Sequence, residues 1–265
     1  MLEDSPWPLL LFSPLLAYFA GRFVYYLGLR RVGRALPFDA ELHARGESLL
    51  LGHAVRQVYA WSIEPLTALL AKARVRPNTL TVLCFVFSVA AGVAIALSAV
   101  TLGGVLGLIG SSLDYFDGRI ARLSRQVTRS GGFLDSTLDR YGEVAFLAGA
   151  SMLFRSSPWL LAACLLALGA SGIVSYTRAK AESLGIELKS GMMQRPERVV
   201  LFCTGACFSS ALDPLLPYGL QGQHFVFGCS LCVLAVLTAH TAIERTVHGF
   251  NELQRRERDR EPRGR

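Results

Sequence analysis

Asp114, Asp117, Asp135 and Asp139 are the residues most able to do chemistry. They stand in the run Asp114-Tyr-Phe-Asp117-Gly118-Arg119-Ile-Ala121-Arg122, followed by eight residues, Gly131, three residues, Asp135, three more and Asp139. Spacings of three and four put the first two on one face of a helix and the last two on one face of the next. The four carboxylates then meet at the mouth of a helical hairpin. Ionised carboxylates near hydrocarbon are costly and repel one another, so cations or protons must neutralise them. Oxygen-only ligands without nearby His or Cys suit hard divalent ions, Mg²⁺ or Mn²⁺, which keep positions open for water and phosphate oxygens. A pair of such ions serves phosphoryl transfer, stabilising both the attacking and the leaving oxygen of an in-line displacement. Gly118 and Gly131 permit close approach of a phosphate or nucleotide to the backbone, and Arg122, one turn after Gly118, offers a bidentate fork to a diphosphate.

The elements that must hold this hairpin are apolar. Of 265 residues, 52% are hydrophobic and 18% charged, and the mean hydropathy is +0.39. Uncharged runs near 20 residues long match the ~30 Å hydrocarbon core. An all-α, polytopic membrane protein is expected, with six spanning helices near 79–100, 101–123, 132–154, 157–178, 198–216 and 222–245. The second and third carry charge only where they face each other, which makes the polar mouth. Of the 27 Lys and Arg, 25 fall in regions that lie on one side if the first of these helices enters from the cytoplasm. By the positive-inside rule the mouth faces the cytoplasm, and the net charge of +7 reports orientation rather than affinity for nucleic acid.

Residues 46–76 form an amphipathic helix, with Leu51, Val55, Val58, Tyr59, Leu66, Leu69 and Leu70 on one side and a kink expected at Pro65. It lies either at the membrane interface or on the flank of the bundle. Residues 1–45 are a hydrophobic extension without the basic n-region of a signal peptide; residues 5–29 either span or lie shallow. Gly103, Gly104, Gly107 and Gly110 make a smooth face for close helix packing. The six cysteines pack as small apolar residues, with no disulfide framework. A six-helix domain over 77–248 is followed by a basic tail, 249–265, expected to be disordered.

The pattern D-x2-D-G-x2-A-R-x8-G-x3-D-x3-D, met without departure from Asp114 to Asp139, resembles the signature of the CDP-alcohol phosphotransferase family. Pro77-Asn78-Thr79-Leu80-Thr81 is similar to the P-N-x-L-T opening of that family's first helix, and the likeness covers about residues 75–245. The resemblance implies that Asp114, Asp117 and Asp135 ligate two metal ions. Asp139 would lie near them and act as the base that deprotonates the acceptor hydroxyl. Gly118, Ala121, Arg122, Gly131 and Thr81 would hold the cytidine nucleotide. The implied reaction is attack of an alcohol oxygen on the phosphorus of a CDP-linked substrate, with release of CMP, in a protein that forms a homodimer.

A second constellation concerns the acceptor. Ser175-Tyr-Thr-Arg178-Ala-Lys180-Ala-Glu182 and Arg195-Pro-Glu197-Arg198 give a basic patch level with the aspartates, suited to a second anionic group. This run resembles that of inositol-phosphate-accepting members, which implies Ser175, Arg178, Arg195 and Arg198 as acceptor-binding residues. The expected reaction joins CDP-diacylglycerol to inositol phosphate in the cytoplasmic membrane. Glycerol phosphate as acceptor and a CDP-linked polar alcohol as donor are the alternatives within the family. Two other classes fit less well. A prenyltransferase needs two distant Asp-rich motifs, and a divalent-cation transporter places its acids near the bilayer midplane.

Overall fold

The computed structural model describes residues 7–32, 53–188, 191–217 and 224–260. Among them the chain is all-helical: α1 (Trp7–Arg31), α2 (His53–Lys72), α3 (Pro77–Ala96), α4 (Val100–Leu123), α5 (Arg129–Leu153), α6 (Pro158–Ser183), α7 (Arg195–Leu212) with a 3₁₀ turn (Asp213–Leu215), and α8 (Phe225–Arg260). Proline opens α3 and α6 at their first position, where its missing N–H has no helical partner to lose. Among the described residues four helices, α3, α6, α7 with its turn, and α8, are long and apolar enough to cross a membrane. Helices α4 and α5 have comparable length, 24 and 25 residues, but carry the charged hairpin.

The core joins α3, α5, α7 and α8. Phe202 of α7 packs on Phe146 of α5 at 5.4 Å and edge-on against Phe227 of α8 at 5.1 Å, among Ala91, Ile95, Ala150 and Leu231. Large apolar side chains on the outer faces of α6 and α8, including Leu165, Ile173, Val236 and Ile243, remain exposed, as expected where lipid is the neighbour.

The glycine face of α4 does what its composition predicts. A side chain on Gly104 would place its Cβ 2.7 Å from the carbonyl oxygen of Cys203 and 2.6 Å from the amide nitrogen of Cys207, so α4 and α7 touch backbone to backbone. Both obstacles are backbone and cannot swing aside. Gly104→Val is therefore expected to cost at least the ~1–3 kcal/mol of an overpacked core, read as a clear fall in the thermal midpoint of the protein in detergent. An unchanged midpoint would refute this contact.

Helix α2 runs unbroken through Pro65 and packs on the bundle: Ile63 is buried with Leu80, Phe116 and Ile120, and Tyr59 and Leu70 lie against this cluster. Residues 46–52 of the expected amphipathic segment lie outside the described residues. Helix α1 docks on α2 through Arg22, whose guanidinium covers the Trp61 ring at 3.1 Å and donates to the Trp61 carbonyl at 3.0 Å. The six cysteines are free; Cys84, Cys164, Cys203 and Cys207 are buried, as expected of small apolar packing, whereas Cys229 and Cys232 are exposed.

The tail expected over 249–265 is corrected as far as residue 260; residues 261–265 lie outside the described residues. Residues 249–260 continue α8 as helix. Glu252 accepts from Arg256 at 3.0 Å one turn on, Leu253 packs on Ala181, Ile186 and Leu188, and Arg256 donates to the Gly185 carbonyl at 2.9 Å. Charges at i,i+4 of opposite sign support a helix where mixed composition alone suggested disorder.

Candidate active site

The α4–α5 hairpin brings the aspartates together. Oxygens of Asp114, Asp135 and Asp139 lie within 4.8 Å of one another, and all three residues are half-buried. Asp117, one turn further along α4, is buried and accepts a 2.6 Å hydrogen bond from the Thr81 hydroxyl of α3. Thr81, expected among the nucleotide contacts, is thus placed to orient a carboxylate. Thr128 caps α5 by accepting from the amide of Gly131 at 3.0 Å, and this fixes the start of the helix that carries Asp135 and Asp139.

The donor set fits a hard divalent ion. Three carboxylates within 4.8 Å cannot all stay ionised without a cation. Asp135 Oδ1 is buried with no hydrogen-bond partner, as an oxygen reserved for a metal would be. Around this group lie the nucleotide candidates. Arg122 rests over Gly118, its Nη1 3.3 Å from where a Cβ would stand, so a side chain there would press on the guanidinium. Ala121 and Gly131 are half-buried on the same hairpin.

Helix α7 supplies the opposite charge. Arg195 Nη1 donates to Asp114 Oδ2 at 2.8 Å and Nη2 pairs with Asp139 Oδ1 at 2.5 Å, so one guanidinium spans both arms of the hairpin. Arg198, 3% exposed, makes a bidentate pair with Glu143 at 2.6 and 3.1 Å and donates through Nη1 to the Met193 carbonyl. Arg178 is exposed and pairs with Glu182 at 2.9 Å, and the Ser175 hydroxyl donates to the Ser171 carbonyl in its own helix. Of the four acceptor candidates, then, Arg195 reaches the aspartates, Arg198 is held by Glu143, and Arg178 and Ser175 bond within α6.

Two residues that sequence reasoning passed over complete this region. Glu143 continues the Asp135 and Asp139 face at the same four-residue interval, a signal visible in the sequence. Arg245 of α8 is buried, donates to the Val174 carbonyl at 3.0 Å, and feels the charges of Arg178 and Arg198. It frames the turn at Gly191, whose φ of +112° suits glycine and where any side chain would meet Thr241 and Arg245.

A carboxylate cluster at one end of apolar helices, faced by a guanidinium, is the arrangement a membrane phosphotransferase needs. Residues 74–239 match the sequence model for CDP-alcohol phosphatidyltransferase, and the chain belongs to that family. It is 31% identical to the phosphatidylinositol phosphate synthase of Mycobacteroides abscessus, over 72% of this chain and 84% of that one. The archaetidylinositol phosphate synthase of Methanothermobacter thermautotrophicus is also 31% identical, over 66% of this chain and 83% of the relative. Among solved structures, the Mycobacterium tuberculosis phosphatidylinositol phosphate synthase with CDP-DAG bound superimposes with a TM-score of 0.61 at 26% identity, covering 70% of this chain and 92% of that one. The same enzyme has been solved in complex with manganese and citrate, again with a TM-score of 0.61.

Proposed function

We propose that this transferase moves the phosphatidyl group of CDP-diacylglycerol to a hydroxyl of inositol phosphate and releases CMP. The observation that carries this reading is Arg195, which sets the basic first turn of α7 directly against Asp114 and Asp139. An acceptor whose phosphate binds that turn has its hydroxyls within reach of the aspartates. Asp114, Asp117 and Asp135 would hold two Mg²⁺ or Mn²⁺ ions, with Asp139 beside them. When bound, such ions neutralise charge on the transferring phosphate and on the leaving oxygen.

The chain's own residues do the rest. Asp139 takes the proton from the acceptor hydroxyl as its oxygen bonds to phosphorus and the phosphorus–oxygen bond to CMP breaks. Thr81 holds Asp117 in place. Gly118, Ala121 and Gly131 leave room for the nucleotide, and Arg122 binds its diphosphate. The basic asymmetry of the sequence supports six spans with this site on the cytoplasmic side. A homodimer rests on the family resemblance.

The acceptor assignment is tested by kinetics with CDP-diacylglycerol held saturating. Arg195→Ala is expected to raise the KM for inositol phosphate about tenfold to a hundredfold, the equivalent of ~1.5–3 kcal/mol of charge-assisted hydrogen bonding. Arg178→Ala is expected to raise it less, because Arg178 is exposed. Unchanged KM values in both variants would refute the assignment of this patch.

A further inference from the structure

The first turn of α7 sends charged side chains to three different helices. Arg195 goes to Asp114 and Asp139 on the hairpin, and Arg198 goes to Glu143 on α5. Glu197, between them, turns away and pairs through Oε1 with Arg56 Nη2 of α2 at 2.5 Å. Glu197 is 0% exposed, and its other oxygen, Oε2, is buried with no hydrogen-bond partner. Its charge therefore depends on the guanidinium of Arg56. A buried carboxylate deprived of its cation is strongly unfavourable, so losing Arg56 forces this turn to shift. Pro196 in the same turn fixes a backbone dihedral, which favours movement of the turn as a unit.

Arg56 is itself well anchored. One turn later on α2, the Tyr59 hydroxyl donates to Ser112 of α4 at 3.0 Å, and Ile63 is buried against Phe116 and Ile120 of α4. Helix α4 carries Asp114 and Asp117. The ion pair thus references the turn bearing Arg195 and Arg198 to the helix bearing the carboxylates, although Arg56 lies outside residues 74–239 that match the family.

We infer that Arg56 is a positioning residue for acceptor recognition: through Glu197 it fixes the rotation of the first turn of α7, which keeps Arg198 on Glu143 and aims Arg195 at the anionic group of the acceptor. The inference rests on the reading of that turn as the acceptor site. Arg56 touches no substrate.

The test is steady-state kinetics of the full chain in detergent, with CDP-diacylglycerol and acceptor varied separately. Arg56→Ala raises the acceptor KM tenfold or more and leaves the KM for CDP-diacylglycerol within twofold, while Arg56→Lys, which keeps the charge, recovers most of the loss. Glu197→Gln removes the charge that is fully buried and leaves that of Arg56, whose side chain is 13% exposed, so it disturbs the fold less than Arg56→Ala does, and it shows the same acceptor-selective rise. The double variant is no worse than the worse single one, because the two residues act as one device. An unchanged acceptor KM in Glu197→Gln, an equal rise in both KM values, or a double variant whose effect is the product of the singles overturns the inference. The cycle is read with whichever acceptor the unaltered chain turns over. A wrong acceptor reading then shows as an unaltered protein inactive with inositol phosphate, and a wrong positioning role shows as inert variants.

Discussion

Asp139→Asn is expected to lower kcat by roughly 10²–10⁴-fold, the range set by loss of a positioned general base, while affinity for CDP-diacylglycerol stays within about twofold. Asparagine keeps the shape of the side chain and its contact distance to Arg195 but cannot take a proton. Asp117→Asn should behave differently. Asp117 is buried and bonded to Thr81 rather than standing in the cluster that Arg195 pairs with, so its loss should weaken metal and CDP-substrate binding together. The pair is separated by measuring CDP-diacylglycerol binding at equilibrium beside turnover. Equal loss of nucleotide affinity in the two variants would remove the distinction between base and ligand.

The second large effect concerns stability. Arg198 and Glu143 form a buried bidentate pair, with side chains 3% and 9% exposed. Glu143 also draws Arg140 at 3.4 Å, so it is the anion shared by two guanidinium groups. Breaking a buried pair from one side costs about 3–5 kcal/mol because the other charge stays behind. Glu143→Ala is accordingly expected to lower the thermal midpoint of the detergent-solubilised protein by roughly 10 °C. Glu143→Gln combined with Arg198→Met should recover much of that fall, since the one charge left behind, that of Arg140, sits on a side chain 41% exposed. A double variant as unstable as Glu143→Ala alone would show that packing, and not charge, is the source of the loss.

The hairpin was legible in the sequence because its information is local: spacings of three and four on two adjacent helices place Asp114, Asp117, Asp135 and Asp139 without knowledge of any other element. The glycine face of α4 was legible for the same reason, since small residues in one stripe imply a close neighbour even when the neighbour is unknown. What Arg195 and Arg198 do was not legible. Both stand in one basic turn and look alike in sequence, yet Arg195 meets Asp114, 81 positions away, and Arg198 meets Glu143, 55 positions away. Only the packing of α7 across α4 and α5 decides which guanidinium goes where.

Arg56 and Glu197 pair across 141 positions and could not be matched by any spacing rule. Glu143 was within reach, as the next step of an interval already counted. The tail was misread because composition weighs charges without their order. Glu252 and Arg256 are one turn apart, and Leu253 has an apolar surface waiting on α6 and the residues after it.

Release of CMP tests the central claim most directly. Purified protein in detergent, with Mg²⁺ or Mn²⁺ and CDP-diacylglycerol, is offered inositol phosphate, glycerol phosphate, free inositol and serine in parallel. The account predicts CMP release that requires inositol phosphate and stops when the divalent ion is chelated. Release that requires serine or free inositol instead would contradict the role given to the arginines of α7, and a protein that binds no cytidine nucleotide at all would contradict the account as a whole.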